Sequence, residues 1–253
     1  MDTVYISIVI PCFNEERNIR LGTLENVAHF LKKKKYSYEV ILVDDGSTDE
    51  SLKLIGNFIN EHPKVRLIKR VHQGKAAAVI SGMLEAKGKY ILFTDLDQAT
   101  PICELDRLLP LFTQGYEVVI GSRNTKRRGA PFLRLAMARG FMIIRNLILN
   151  LGIADTQCGF KAFTKEAVRQ IIPRLKLHGL KNSARGSTVT AGFDVELLYI
   201  AKLLRFKIAE VPVEWYYQET RHVSPIKDSW EGLIDLIKIR WMNIKGDYKI
   251  CQI

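Results

Sequence analysis

The run Tyr90-Ile91-Leu92-Phe93-Thr94 is apolar on both faces of a strand and stops abruptly on Asp95-Leu96-Asp97. Successive strand side chains point to opposite faces, so such a strand must be covered on both sides. Helices packed on both faces of a mostly parallel sheet meet that demand. Ligands of these sheets collect at the carboxyl ends of the strands, where the two aspartates stand. Two carboxylates there suit a hard cation, Mg²⁺ or Mn²⁺, carrying a phosphorylated substrate. The competing reading is a turn with two solvated acids.

The rest of the first half repeats the pattern. Residues 5–10, 38–43 and 65–69 read as further strands, alternating with helices over 16–34, 49–61 and 75–86. Asn14 is placed to cap the first helix, with Glu15 and Glu16 in its first turn. Polar clusters follow the strands: Glu15, the Asp44-Asp45 pair, Lys75, and the Asp95-Asp97 pair. Short loops would bring them to one crevice. Neither GxGxxG nor GxxxxGK[ST] occurs, so a bound nucleotide is held by other means.

The second half is less regular. It reads as a helix over 101–112, a strand over 117–121 ending on Ser122-Arg123, a basic loop over 124–131 and one helix over 132–151. A compact polar loop over 155–161, a short helix from Lys165, a helix over 193–204, a strand over 208–215 and an amphipathic helix over 230–245 follow. Residues 176–188, rich in Lys, Arg, Gly and Ser, are expected to form a mobile loop. The expectation is one α/β domain over 1–225, then a C-terminal helix and tail over 226–253.

The net charge of +11 calls for an anionic partner: nucleic acid, an acidic membrane surface or a phosphorylated substrate. Nucleic-acid binding predicts aromatics interleaved with Lys and Arg clustered on one face, whereas here the cations are spread along the chain. Lys32 to Lys35 fits a solvated helix end, while Lys126-Arg127-Arg128 lies in a loop. Cys12, Cys103, Cys158 and Cys251 form no CxxC pair, so neither a zinc site nor a disulfide framework is expected, and a reducing cytosol is the simpler setting. The first apolar run, 4–12, has no basic region before it and reads as a strand rather than a secretory leader. No stretch reaches the roughly 18 apolar residues of a spanning helix. The longest candidate, 132–153, carries Arg134, Arg139 and Arg145.

Ile8-Val9-Ile10-Pro11-Cys12-Phe13-Asn14-Glu15-Glu16, Val43-Asp44-Asp45-Gly46-Ser47-Thr48-Asp49, Gly74-Lys75 and Asp95-Leu96-Asp97 together resemble the inverting family 2 glycosyltransferases, which have a GT-A fold. Asp155-Thr156-Gln157-Cys158-Gly159-Phe160-Lys161, Phe193-Asp194-Val195-Glu196-Leu197-Leu198 and Ala209-Glu210-Val211-Pro212-Val213-Glu214-Trp215 look like the dolichyl-phosphate β-glucosyltransferase branch. The polyprenyl-phosphate mannosyltransferases match less well. The resemblance implies a nucleotide-sugar donor, UDP-glucose in the first place, a divalent metal, and a polyprenyl (dolichyl or undecaprenyl) phosphate acceptor. On it, Pro11, Glu15 and Asp45 would hold the base and ribose. Asp44 lies beside them as a nucleotide contact or a turn acceptor. Lys75 would neutralise the diphosphate or touch the base, unless it is a surface lysine starting a helix. Asp95 and Asp97 would form the metal and donor-phosphate site, and Arg123 would hold phosphate with its guanidinium fork. The mannosyltransferase branch carries a metal-binding Gln two residues after its second Asp. Here that position is Ala99 and Gln98 comes one residue early, so the third ligand is unassigned.

Inversion needs the acceptor oxygen to attack opposite the departing nucleotide, which the metal, Asp97 and Arg123 would stabilise. A hydroxyl acceptor requires a general base; an already anionic phosphate needs positioning. Asp194 lies where many relatives place a base, and would otherwise be a helix N-terminal acid. Lys161, Arg127 and Arg128 are candidates for the acceptor phosphate, and Asp155 and Gln157 for the sugar pocket. The helices over 132–151 and 230–245 mix apolar residues with Arg, Lys and Trp. That suits a peripheral position on an anionic membrane, at its cytoplasmic face, and ordinary core packing is the alternative. A glycan-hydroxyl acceptor and a non-catalytic basic membrane-surface or nucleic-acid-binding protein are the competing functions.

Overall fold

The computed structural model describes residues 4–123, 127–128, 132–179, 191–217 and 225–248, with side chains at 4–123, 140–179, 192–217 and 230–248. In chain order the elements are β1 (Ile6–Cys12), α1 (Glu16–Arg20), α2 (Thr23–Lys32), β2 (Tyr38–Asp44), α3 (Ser51–Glu61), β3 (Val65–Lys69), α4 (Lys75–Glu85), β4 (Tyr90–Thr94) and α5 (Leu105–Thr113). There follow β5 (Val118–Ser122), β6 (Arg127–Arg128), α6 (Phe132–Leu149), β7 (Phe160–Thr164), α7 (Lys165–Ile171), α8 (Ala191–Leu203), β8 (Ile208–Pro212), β9 (Trp215–Tyr216) and α9 (Pro225–Lys245).

Seven strands form one sheet in the order β3-β2-β1-β4-β7-β5-β8, and β6 pairs separately with β9. β4 is buried at all five positions, as its two apolar faces require. Alternate residues enter two different cores: Ile91 and Phe93 join Val9, Ile41 and Val43 on one face, while Tyr90 and Leu92 join Ile8, Ile10 and Leu42 on the other. From β1 the chain winds outward through β2 and β3, then returns to lay β4 on the other side of β1. That reversal opens a crevice at the carboxyl ends of β1 and β4, the usual ligand position in such sheets.

Four expectations change. The first helix is two, α1 and α2, because Gly22 between them takes φ +80°, outside the right-handed helical region. Asn14 does not cap α1. Its own φ is +52° and Glu15 holds the cap position, while Asn14 Oδ1 accepts the Thr48 backbone N–H at 2.8 Å, tying the β1 loop to the β2 loop. The polar stretch through Lys161 is not all loop, since β7 begins at Phe160 and runs antiparallel between β4 and β5. The late strand divides at 213–214, and its second part, β9, pairs with β6. Of the expected mobile loop, 180–188 lies outside the described residues.

One side of α9 packs against the core. Leu236 and Ile239 are fully buried in the core cluster that also holds residues of α6 and α8. Its opposite side exposes Trp230, Ile234, Ile237, Trp241 and Ile244, spaced so that they form one stripe along the helix. Ile143, Ile144 and Leu147 of α6 are also exposed. No helix among the described residues is long and apolar enough to cross a membrane.

Candidate active site

The crevice is assembled from strand ends. On the β1 side, Glu15 is buried; its backbone N–H donates to Ser51 Oγ at 2.8 Å and its Oε2 accepts from Asn18 at 2.5 Å. Pro11 lies in β1 itself, paired with Val43. At the end of β2, Asp44 accepts weakly from the backbone N–H groups of Gly46 and Ser47, at 3.3 Å each, the geometry of a turn acceptor. Asp45 turns the other way. Its carboxylate accepts from the backbone N–H of Gln73 (3.1 Å) and Gly74 (2.7 Å), and its Oδ2 lies 2.9 Å from His72 Nδ1. The His72 ring in turn stacks on Phe13 with centroids 4.0 Å apart. A single carboxylate thus clamps the loop after β3 and fixes where α4 starts.

That start is Lys75, whose ammonium lies 2.5 Å from Asp95 Oδ1 at the end of β4. Gly159 forms a wall on the other side of Asp95: a Cβ there would lie 2.2 Å from Asp95 Oδ2, so any larger residue would collide with the carboxylate. Asp97 Oδ1 accepts the Ala99 backbone N–H at 3.0 Å, and Gln98 adopts φ +49° with its side chain donating to the Asp95 carbonyl at 2.9 Å. The Gln98 amide nitrogen is thus used in the turn that presents the two aspartates, while its Oε1 is buried with no hydrogen-bond partner among the described residues. Among the described residues no group of three or more His, Cys, Asp or Glu side chains is placed to hold a metal. A hard cation bound chiefly through diphosphate oxygens and water needs only one or two carboxylates, and Asp95 with Asp97 fits that requirement.

On the β5 side, Arg123 and Asp155, expected to meet phosphate and sugar separately, meet each other. Arg123 Nε donates to Asp155 Oδ2 at 2.7 Å and Nη2 to Oδ1 at 2.8 Å, a bidentate pair, while the Arg123 backbone N–H donates to Oδ2 at 2.9 Å. Burial works against the Arg123 cation, but the Asp155 charge and hydrogen bonds outweigh it and push the guanidinium pKa up. The indole of Trp215 lies 5.7 Å from the guanidinium carbon. Glu210 of β8 accepts from the backbone N–H of Asp155 (2.7 Å) and Ala154 (2.9 Å). Buried Arg145 donates to Thr156 Oγ1 at 2.7 Å and to the Ile153 carbonyl, and burial pulls its own pKa down. Gln157 donates its backbone N–H to Asp155 at 3.2 Å. Glu210 and Arg145 were not among the expected site residues. Glu210 stands in a quoted motif, but only the fold shows that it holds the Asp155 loop.

Lys161 is also relocated. Expected at an acceptor phosphate, it is fully buried in β7, and its ammonium donates to Asp194 Oδ1 at 2.6 Å and to the Cys158 carbonyl at 2.5 Å. It lies opposite Phe93 in the sheet register, beneath the Asp95 turn. Asp194, in the first turn of α8, is 14% exposed at the side chain. The backbone of Arg127 and Arg128 pairs with Trp215 and Tyr216; their side chains lie outside the described residues. The Tyr216 backbone N–H donates to the Ala99 carbonyl at 2.8 Å, linking that strand pair to the Asp97 turn.

The chain is 35% identical to a dolichyl-phosphate beta-glucosyltransferase of Dictyostelium discoideum, over 99% of this chain and 78% of that one. It is 30% identical to the dolichyl-phosphate beta-glucosyltransferase of Homo sapiens, over 99% and 79%. Glucosyl-3-phosphoglycerate synthase from Mycobacterium tuberculosis, solved with Mn²⁺, uridine diphosphate and glucosyl-3-phosphoglycerate, superposes with TM-score 0.63 at 20% identity, over 94% of this chain and 80% of that one. That likeness concerns the fold, and the architecture is the GT-A fold expected from the motifs. Residues 7–172 match the family described as glycosyl transferase family 2, and this chain belongs to that family.

Proposed function

We propose that this protein is an inverting glucosyltransferase that moves glucose from UDP-glucose onto a polyprenyl phosphate. The observation that carries the choice of acceptor is the 30–35% identity, over nearly the whole chain, to proteins named dolichyl-phosphate beta-glucosyltransferase, and the ion pair between Asp194 and buried Lys161 fits it. Transfer to a sugar hydroxyl needs a carboxylate available to take the hydroxyl proton, and Asp194 is engaged by an ammonium. A phosphate monoester is already anionic near neutral pH and needs alignment rather than deprotonation. The names of the sequence relatives support the same sugar and the same kind of acceptor, and the UDP and Mn²⁺ of the solved fold neighbour support the donor and cation.

On this reading the nucleoside lies along Pro11, Glu15 and Asp45, with the Phe13–His72 stack at its edge. Lys75 faces the diphosphate, and the Arg123–Asp155 pair braces the wall of the sugar pocket. A Mg²⁺ or Mn²⁺ held by Asp95 and Asp97 would offset the charge that develops on the departing diphosphate. The test is incorporation from labelled UDP-glucose into dolichyl phosphate in anionic vesicles containing Mn²⁺. A β-glucosyl lipid phosphate is expected, and its formation should stop with EDTA. Product on a glycan hydroxyl with none on the lipid would overturn the acceptor assignment, and no turnover with any UDP-sugar would overturn the donor.

The acceptor's hydrophobic chain places the reaction at a membrane, and the exposed stripe of α9 is the surface that suits one. Lys238, Arg240 and Lys245 are exposed beside that stripe, so cations border an apolar face as in helices lying on anionic bilayers. The protein is thus read as peripheral, at a cytoplasmic membrane face. Replacing exposed Ile237 and Trp241 together by Glu should weaken binding to anionic vesicles about a hundredfold or more, because apolar area worth about 1.5–3 kcal/mol per side chain no longer enters the bilayer. The melting temperature should barely move, since both side chains are more than half exposed. Unchanged vesicle partition would assign the stripe another role.

A further inference from the structure

Lys75 is in an unusual electrostatic position. It is the first residue of the 11-residue helix α4, where the helix dipole disfavours a cation. The residue before it, Gly74, takes φ +93° and supplies no side-chain cap. Something anionic must compensate, and in this structure it is Asp95, 2.5 Å away, with both side chains 22% exposed.

The backbone around Lys75 is not free to adjust. Asp45 accepts from the N–H groups of Gln73 and Gly74, so the start of α4 is pinned to the end of β2. Asp95 is confined as well, because the Gly159 backbone lies against its Oδ2. The side chain of Lys75 is a flexible four-carbon stem on that fixed backbone, and it is 22% exposed.

We infer that Lys75 is a counter-ion lock on Asp95, holding the carboxylate until a nucleotide diphosphate offers the ammonium a second anion. The inference rests on the donor reading above and adds an order of events. A divalent cation alone must compete with the Lys75 ammonium for Asp95, so it binds the free protein poorly. When the diphosphate arrives, Lys75 turns to it, and Asp95 becomes available to the cation that travels with the nucleotide. Lys75 is thereby a positioning residue that couples nucleotide and cation binding, and such a coupling is reciprocal. The benefit is that Asp95 is not left as an unpaired, half-buried carboxylate between turnovers.

The test compares the unaltered protein with Lys75→Met, Lys75→Arg and Lys69→Met, the last removing an exposed cation at the end of the neighbouring strand β3. Binding of Mn²⁺ alone is read from the loss of the free-ion electron paramagnetic resonance signal, and binding of UDP in EDTA from calorimetry. Lys75→Met should bind Mn²⁺ alone about tenfold tighter, as expected for removing a close competing charge at a partly exposed site, and should bind UDP alone more weakly. Lys75→Arg, which keeps the charge, should resemble the unaltered protein, and Lys69→Met should shift Mn²⁺ affinity by less than about twofold, its charge being exposed and screened. Unchanged or weaker Mn²⁺ binding in Lys75→Met would overturn the lock while leaving the donor reading intact, as would an equal shift in Lys69→Met. If the unaltered protein binds neither UDP nor Mn²⁺, the donor reading falls and the lock falls with it.

Discussion

Asp155→Ala is expected to destabilise the protein by roughly 3 kcal/mol, the low end of the range for breaking a buried ion pair by removing one partner. The low end applies because 16% of the Arg123 side chain stays exposed and water can reach part of the guanidinium. The larger part of the loss is not the missing attraction but what is left behind. Arg123 keeps its charge at any accessible pH, and in the variant that charge has lost both halves of its bidentate partner. The Arg123 and Gln157 backbone N–H groups lose their acceptor as well. Asp155→Asn should lie between the two, since the amide oxygen can still accept one hydrogen bond. Pairing Asp155→Ala with Arg123→Met should recover part of the loss, because the double variant buries no unpaired cation. Urea unfolding of the unaltered protein, Asp155→Ala, Arg123→Met and the double variant gives the coupling directly. A single-variant loss under about 1 kcal/mol would mean that the pair behaves as a surface salt bridge. On the proposed function the same variants bear on catalysis, since Arg123 and the 154–157 loop, held by Glu210, are read as the wall of the sugar pocket.

The legible part of the fold was that dictated by local patterning. β1, β2 and β4 are buried at nearly every position, and only a strand covered on both faces tolerates that, so the mostly parallel sheet and the polar clusters at its carboxyl edge are legible in the sequence. The polar residues at that edge were legible for the same reason: Glu15, Asp45, Lys75, Asp95 and Asp97 each stand where an apolar run ends or the next helix begins. What could not be read was partnership. Arg123 and Asp155 are 32 residues apart, and Lys161 and Asp194 are 33 apart. Each of these four charges invites a ligand when viewed singly, and each finds a protein counter-ion in the fold. β7 was missed because Phe-Lys-Ala-Phe-Thr carries a lysine that solvent exposure would normally explain, and nothing local announces a carboxylate arriving from α8. The Gly22 break in the first helix and the reassignment of Asn14 have a similar origin. A left-handed φ at Asn14 serves a bond to Thr48 in another loop, which the helix-capping signal in its neighbours does not encode.

Asp194→Asn should also lose about 3 kcal/mol of stability, and this changes how that variant must be used. Read from sequence, it separates a general base from a helix-terminal acid. In the structure Asp194 is the counter-ion of a fully buried ammonium, so the amide leaves Lys161 charged, desolvated and supported, among the described residues, by the Cys158 carbonyl and the face of Phe93, 5.2 Å away. A drop in activity would then report damage to β7, which lies between β4 and β5. It would say nothing about proton transfer. The informative protein is the double variant Lys161→Met with Asp194→Asn, in which neither charge remains and methionine occupies much the same volume as the lysine stem. Replacing a buried pair by groups of similar shape is often nearly neutral, so its unfolding midpoint should return close to that of the unaltered protein. If the acceptor is a phosphate, the double variant should keep transfer to dolichyl phosphate within about tenfold, because positioning and leaving-group stabilisation lie elsewhere in the crevice. If a general base is required, restoring stability will not restore turnover, and the rate will remain down by roughly 10²–10⁴-fold. Stability and rate would recover together in the first case and separate in the second, so one protein decides whether Asp194 takes a proton or only holds Lys161.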